Sequence, residues 1–184
     1  MQLTDFLSRV LPSSGHWFVV HIGDSGATPT AVAAGNTAAV EQLIERGNRT
    51  GTNTYYGVCS FVAPPGETLK RNRTCAVLGQ FRALRVDIDV GDGKNYQTYD
   101  DAHDALYAFV DAAGLPDPLL VSSGRGLHVY FPLTQDVSFQ QWLPMATGLR
   151  GLATQHGLRF DDNICEAERL LRLPTSINQR NGQQ

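Results

Sequence analysis

Ala83-Leu84-Arg85-Val86-Asp87-Ile88-Asp89-Val90 is the stretch on which the reading of this chain turns. Polar and apolar residues alternate with period two, so it reads as a β-strand with Val86, Ile88 and Val90 on one face and Asp87 and Asp89 on the other. The apolar flanks argue for a central strand rather than an edge. Two carboxylates on one strand face, ~6 Å apart, repel by roughly 3 kcal/mol at an effective dielectric of ~20. A cation is the natural remedy, and hard oxygen ligands favour Mg²⁺ or Mn²⁺ over zinc.

Working outward, Thr98 caps a helix carrying Leu106, Phe109 and Val110 that stops at Gly114. Leu119 to Ser122 is a strand, and Gly124-Arg125-Gly126 is a turn. Leu127 to Phe131 is the next strand, with His128 and Tyr130 on the face opposite Leu127, Val129 and Phe131. Ser138 and Gln141 form a capping-box pattern at the start of a helix running towards His156, in which Pro144 predicts a kink or a later start. Leu170 to Leu173 is a last strand. Written out, this is βαββαβ, the split arrangement of an RNA-recognition-motif-like (RRM-like) sheet in an α+β chain. In that topology the first and third strands are neighbours and both helices cover one face. Asp87, Asp89 and His128 then lie side by side on the other.

The N-terminal half reads as a separate αβ module. Met1 to Val10 has helical spacing, Trp17 to Ile22 is a strand, and a turn-rich segment follows through Asp24, Gly26 and Pro29. Asn36 or Thr37 caps a helix ending near Gly47, and Tyr55 to Val62 is a strand. Pro64-Pro65-Gly66 then begins a basic loop through Arg73. The expected division is residues 1–80 as the αβ module forming the other wall of a cleft, 81–178 as the catalytic core, and 179–184 as a polar tail.

Composition is ordinary for a globular chain of 184 residues, with 42% hydrophobic and 18% charged residues, which excludes disorder. No apolar run approaches the ~20 residues needed to span a bilayer. The first ten residues lack the basic flank and apolar stretch of a secretory signal. Cys59, Cys75 and Cys165 have neither disulfide-framework nor zinc-site spacing, which fits a reducing cytoplasm. Net charge is only −3, yet 13 of 18 acids are Asp, eight of them between Asp87 and Asp117, and 13 of 15 bases are Arg. The bases flank the acidic stretch at Lys70-Arg71-Arg73, Arg82-Arg85 and Arg169-Arg172, an arrangement suited to a metal ion beside a polyanion.

Two further pieces carry chemistry. Ser123-Gly124-Arg125-Gly126-Leu127-His128 joins two strands through glycines that let a phosphate approach the backbone, with Arg125 or His128 to donate to it. Phe160-Asp161-Asp162 offers a third carboxylate ahead of Arg169 and Arg172, which can hold phosphates. If the strand extends that far, Phe160 packs inward and Asp161, not Asp162, faces the other two carboxylates. Tyr55 and Tyr56 read as packing residues with base stacking as the alternative.

In this order and spacing, the three pieces resemble the catalytic motifs of the archaeo-eukaryotic primase superfamily, of the phage and plasmid primase-polymerase type. The matching segments are Val86-Asp87-Ile88-Asp89, Ser123-Gly124-Arg125-Gly126-Leu127-His128, and Phe160-Asp161 with Arg169 to Asn178. Similarity extends upstream through Asn53-Thr54-Tyr55-Tyr56-Gly57-Val58. The resemblance implies two Mg²⁺ or Mn²⁺ ions on Asp87, Asp89 and Asp161, and His128 on the triphosphate of an incoming nucleotide. It implies a DNA-directed nucleotidyltransferase, a primase or DNA polymerase, acting on a single-stranded DNA template with nucleoside triphosphates. In a longer context a helicase domain or protein is the expected partner, this chain being an excised catalytic domain or an unusually short protein. The implied setting is the cytoplasm, that of the host cell if the chain is phage-encoded. Ser123, Gly124, Arg125, Lys94, Arg169 and Arg172 are the candidate nucleotide contacts, with Arg71 and Arg73 behind them. The family has Pro-Gly-Thr where this chain has Pro174-Thr175-Ser176. The rivals on the same sheet are a non-catalytic single-stranded nucleic-acid-binding module, which displays aromatics on its central strands, and a metal-dependent nuclease.

Overall fold

Two antiparallel sheets with a shared core are described here from a computed structural model covering residues 1–62, 79–179 and 182. The elements in chain order are α1 (Leu3–Val10), β1 (His16–Gly23), β2 (Gly26–Ala33), α2 (Thr37–Thr50), β3 (Asn53–Gly57), β4 (Gln80–Asp89), α3 (Tyr99–Ala113), β5 (Leu119–Ser122), β6 (Gly126–Ser138), α4 (Phe139–Gln155), a 3₁₀ turn (Asp162–Cys165) and β7 (Leu170–Arg172). The basic stretch at Lys70, Arg71 and Arg73, and Cys75 with it, lies outside the described residues.

The second sheet has the order β4-β6-β5, all antiparallel. Its first and third strands are neighbours, as the βαββαβ reading requires. Val86, Ile88, Leu127, Val129 and Phe131 pack under α3 and α4 against Leu106, Phe109, Leu149 and Ala153. Both helices start at capping boxes, Thr98 with Asp101 and Ser138 with Gln141, so the side-chain caps that the sequence signals do form. Helix α4 runs through Pro144 from Phe139 without a later start.

The last strand departs from expectation. Instead of joining the β4 edge, β7 pairs antiparallel with β3, with Tyr55 opposite Arg172, in a four-stranded sheet of order β2-β1-β3-β7. The β4 edge is already engaged. The Asp161 N–H donates to the Asp87 carbonyl at 2.8 Å, and the buried Arg85 guanidinium donates to the Glu166 carbonyl. The chain therefore passes β4 as an irregular segment and finds its strand partner on the N-terminal sheet. The segment around Pro29, expected as turns, is the edge strand β2, where a residue without an N–H is tolerated. Helix α2 runs to Thr50, past Gly47, and ends at a left-handed Gly51.

The two sheets share a core. Phe6, Leu7 and Val10 of α1 pack with Trp17, Val19 and Tyr56 of the first sheet and with Ala83 and Tyr130 of the second. The Tyr56 hydroxyl donates to that of Tyr130 at 2.8 Å, and burial pushes both phenols above their usual pKa. One half of the sheet face that carries Asp87 is thus covered. Asp87 and Asp89, further along the strand, are partly exposed, and His128 beside them is buried.

Candidate active site between the two sheets

At that end of the strand lies a cleft of about 220 Å³. One wall is Asp87, Asp89 and His128 of the second sheet with Ser123 and Arg125 of its glycine turn; the other is Tyr55, Leu170, Leu171 and Arg172 of the first, closed by Asn178. Strand pairing sets the first wall, since Asp87 lies opposite His128 and Asp89 opposite Gly126. A side chain at 126 is impossible in this register: a Cβ there would sit 1.9 Å from the Ile88 carbonyl oxygen. Gly124, at φ +79°, makes the turn.

Asp161 follows a partly buried Phe160 and stands against Asp87, while Asp162 points to solvent as the first residue of the 3₁₀ turn. The Arg169 guanidinium is 3.3 Å from the Asp87 carboxylate and is hydrogen-bonded to that of Asp161 through the same nitrogen, Nη2. Two carboxylates therefore converge on one cation. Burial works against the Arg169 charge, but Asp161 and Asp87 outweigh it and hold its pKa above the usual value. Burial first, and then Asp89 and Asp161, push the Asp87 carboxyl up to about 6, against the pull of Arg169. Asp89 is more exposed and pairs with Lys94 at 3.0 Å.

His128 is buried, its Nε2 3.8 Å from Asp87 Oδ1 and its Nδ1 enclosed with no partner among the described residues. Burial, with Arg172, Arg169 and Arg85 around it, holds the ring pKa down to about 3, so the imidazole is neutral. Arg172 lies over the Tyr55 ring at 5.0 Å and donates to the Ile177 carbonyl. Arg125 is exposed at the cleft rim. The turn amides of Gly124 and Arg125 have long bonds, 3.3 and 3.4 Å, to the Ser122 and Ser123 hydroxyls.

Every candidate from 87 to 172 thus lies in or beside one cleft, but three of the candidate nucleotide contacts are otherwise engaged: Lys94 on Asp89, Arg169 between two carboxylates, Arg172 on Tyr55. Sequence reasoning undervalued three residues. Tyr55, half-buried on the exposed face of β3, is a cleft wall, which strand alternation against buried Thr54 and Tyr56 could have signalled. Asn178 Nδ2 donates to the Ser123 carbonyl at 3.4 Å, tying the C-terminal segment to the glycine turn. Arg85 is the third: it is buried against Trp142 and carries one nitrogen without a partner among the described residues, with burial lowering its pKa to about 10.

The donors fit a hard divalent cation. Asp87 and Asp161 already share one positive partner, and the Asp87 carboxyl is raised as an under-compensated carboxylate should be. Among the described residues, no three His, Cys, Asp or Glu side chains are grouped so as to hold a metal ion.

The fold is shared with known catalytic domains. Two solved structures display it. One is the archaeo-eukaryotic primase (AEP) domain of the primase-polymerase of cyanophage S-2L, similar with a TM-score of 0.64 and 19% identity over 99% of this chain and 85% of that one. The other is the catalytic domain of primase Repb' in complex with initiator DNA, with a TM-score of 0.60 and 12% identity over 99% and 79% of the two chains. No protein-family model matches the sequence, and no curated protein matches it either. At these identities the likeness is one of fold. Among the described residues no helix is long and apolar enough to cross a membrane.

Proposed function

We propose that the chain is a primase-polymerase catalytic domain that joins nucleotides on a single-stranded DNA template. The observation that carries this reading is the gathering of Asp87, Asp161, Asp89 and neutral His128 at the mouth of a cleft, on the fold of primase catalytic domains. Asp87, Asp89 and Asp161 would hold Mg²⁺ or Mn²⁺. Bound there, the ions lower the pKa of the attacking hydroxyl and neutralise the triphosphate and its pyrophosphate leaving group.

The chain's own residues then divide the work. Asp87 and Asp161 would hold the metal, and Arg169, released from bridging them, would meet the triphosphate. His128, neutral, would donate one hydrogen bond to a phosphate oxygen through Nε2, the nitrogen on the Asp87 side. Arg125 at the rim and Lys94 complete the phosphate contacts, and Arg172 holds Tyr55 as the wall against which the nucleotide lies. The binding-module rival loses its support from Tyr130, the one outward aromatic of the central strands, which is buried against Phe6 and Tyr56 and cannot stack on a base.

The test is synthesis. Purified protein, single-stranded template, labelled ribo- or deoxynucleoside triphosphates and Mn²⁺ or Mg²⁺, with and without primer, should give elongated products that Asp89→Ala abolishes while single-stranded DNA binding persists. Shortening of the template in place of synthesis would establish the nuclease instead.

A further inference from the structure

Arg85 carries a buried charge that no step above uses. Its guanidinium lies over the Trp142 ring at 5.4 Å, and Nη1 is enclosed with no partner among the described residues. Nor does it form an ion pair with any of them. Burial of a guanidinium without a carboxylate beside it is costly, and an apolar side chain of the same volume would avoid that cost. Among the described residues the charge has one hydrogen-bond acceptor, the Glu166 carbonyl, to which Nη2 donates.

That acceptor opens the turn that carries Arg169, in the irregular segment between the 3₁₀ turn and β7. The Glu166 carbonyl also accepts the Arg169 N–H at 3.4 Å, and the Glu166 carboxylate stands 3.5 Å from Arg169 Nη1. Beyond the turn, the Arg169 carbonyl accepts from the Val58 N–H at 3.3 Å. Arg85 therefore ties the near end of the turn to β4, while the first sheet holds its far end. Arg85 and Asp87 lie on one face of β4, roughly 7 Å apart along the strand. The strand that offers the first carboxylate thus also anchors the turn from which Arg169 bridges that carboxylate to Asp161.

We infer that Arg85 is a positioning residue for nucleotide binding: by holding the Glu166 carbonyl, it sets the place from which Arg169 meets Asp87, Asp161 and the triphosphate. It touches no reacting atom and acts through Arg169; for the triphosphate, the role rests on the proposed function. A double-mutant cycle between Arg85 and Arg169 tests it in two ways. The first needs no synthesis. Thermal melts in EDTA and in Mn²⁺ should show a larger Mn²⁺ gain in Arg169→Gln than in wild type, because no guanidinium competes for the carboxylates. Arg85→Met, which fills the space without the charge, should also gain more than wild type, and the double variant no more than Arg169→Gln alone. The second is primer-extension kinetics. Arg85→Met should raise the nucleotide KM about 10-fold, the lower end for a residue that orients a ligand-binding group. Its kcat should stay within about twofold, whereas simple loss of folded protein lowers kcat and leaves KM alone. In the Arg169→Gln background the same change should move KM by less than about twofold. Arg85→Lys keeps the charge but offers Glu166 a single donor in place of the fork. Its KM should lie between those of wild type and Arg85→Met, and it carries the cycle if Arg85→Met fails to fold. Equal Mn²⁺ stabilisation of all four proteins, additive changes in KM, or a wild-type KM in both Arg85 variants would overturn the inference. Synthesis with additive effects would sink the role of Arg85 and leave the proposed function standing. Non-additive Mn²⁺ gains without synthesis by the wild type would do the reverse.

Discussion

The backbone N–H of Asp161 donates to the carbonyl of Asp87 at 2.8 Å. That bond fixes where the chain passes the second sheet, and it brings the third carboxylate to the first. Asp162, one residue on, is exposed in the 3₁₀ turn that Asp161 caps by accepting the Asn163 N–H. Asp161→Asn should therefore reduce metal-dependent synthesis by at least about 100-fold, beyond the range seen for outer-shell changes. Asp162→Asn should stay within about threefold of wild type, as for a surface substitution. Primer-extension rates of the two purified variants check this, and the reverse pattern would move the third ligand to Asp162.

The Arg169 bridge predicts an uncommon combination of effects. Arg169→Gln removes the one positive group shared by Asp87 and Asp161, at positions that are about a quarter exposed. Without metal the variant should lose about 1–2 kcal/mol of stability, a fall in Tm of a few degrees. Mn²⁺ should raise its Tm by more than it raises that of the wild type, because no guanidinium competes for the carboxylates. Synthesis should nevertheless fall, through a raised KM for the nucleotide. Thermal melts with EDTA and with Mn²⁺, alongside steady-state kinetics, separate the two roles. Equal Mn²⁺ stabilisation in both proteins would remove Arg169 from the site.

Asp87 and His128 face each other across β4 and β6 and have opposite pH linkage. The Asp87 pKa is raised to about 6 from 3.8, so its contribution to stability is full below pH 3.8 and is lost as the pH rises through about 6. The His128 pKa is lowered to about 3 from 6.5, so its contribution is full above pH 6.5 and is lost as the pH falls towards 3. Asp87→Asn deletes the first term alone. The Tm of Asp87→Asn minus that of wild type, in EDTA, should rise between about pH 4 and pH 6, most steeply near 5, and level off above about 6. In the wild type, Mn²⁺ affinity should weaken as the pH drops below about 6, since only the ionised carboxylate binds. A difference that is flat with pH would mean that Asp87 titrates normally.

Much of this was legible in the sequence. Period-two alternation through Val86-Asp87-Ile88-Asp89 and Leu127-His128-Val129 placed the acids and the histidine on the face away from α3 and α4, because in a strand that inference needs only parity. Caps at Thr98 and Ser138 were equally readable, being local hydrogen bonds between near neighbours. What parity could not give was the partner of a strand. Leu170 to Arg172 is a strand as expected, but whether it joins β4 or β3 depends on what already occupies the β4 edge. The engagement of Lys94, Arg169 and Arg172 was hidden for the same reason: a basic residue's type says what it can bind, and its neighbours in space decide what it does bind.

The Pro174-Thr175-Ser176 segment carries its own prediction. Thr175 has φ +67° and is the one described non-glycine residue in that region, although it is β-branched. The turn is held by Asn48, which donates to the Thr175 carbonyl at 3.2 Å and accepts from the Ile177 N–H at 2.8 Å. Left-handed backbone costs a residue with a Cβ roughly 1–2 kcal/mol, and glycine gives back about 0.5–1 kcal/mol in unfolded-state entropy. Thr175→Gly should raise stability by about 0.5–1 kcal/mol, or roughly 1–4 °C in Tm. A lower Tm would mean that the threonine side chain contributes more than its strain costs.

Gly126, which of the described glycines leaves least room for a Cβ, gives the last prediction. Gly126 pairs with Asp89 at the end of β4, and a Cβ built on it falls 1.9 Å from the Ile88 carbonyl oxygen, 2.9 Å from the Ile88 carbonyl carbon and 3.0 Å from the Asp89 Cα. All three are backbone atoms, so no side chain can swing aside, and β4 and β6 must separate where they present Asp89 and His128. Gly126→Ala should therefore cost about 2–4 kcal/mol, at or above the usual range for overpacking. It should also abolish synthesis even at temperatures where the protein stays folded, because the carboxylates lose their register with the histidine. Gly148 in α4 is the control: a Cβ there meets nothing within 4 Å, and alanine in a helix interior gains up to ~1 kcal/mol over glycine. Chemical denaturation of the two variants should move in opposite directions. If Gly126→Ala were as stable and as active as wild type, the β4–β6 register, and with it the juxtaposition of Asp87 and His128, would be wrong.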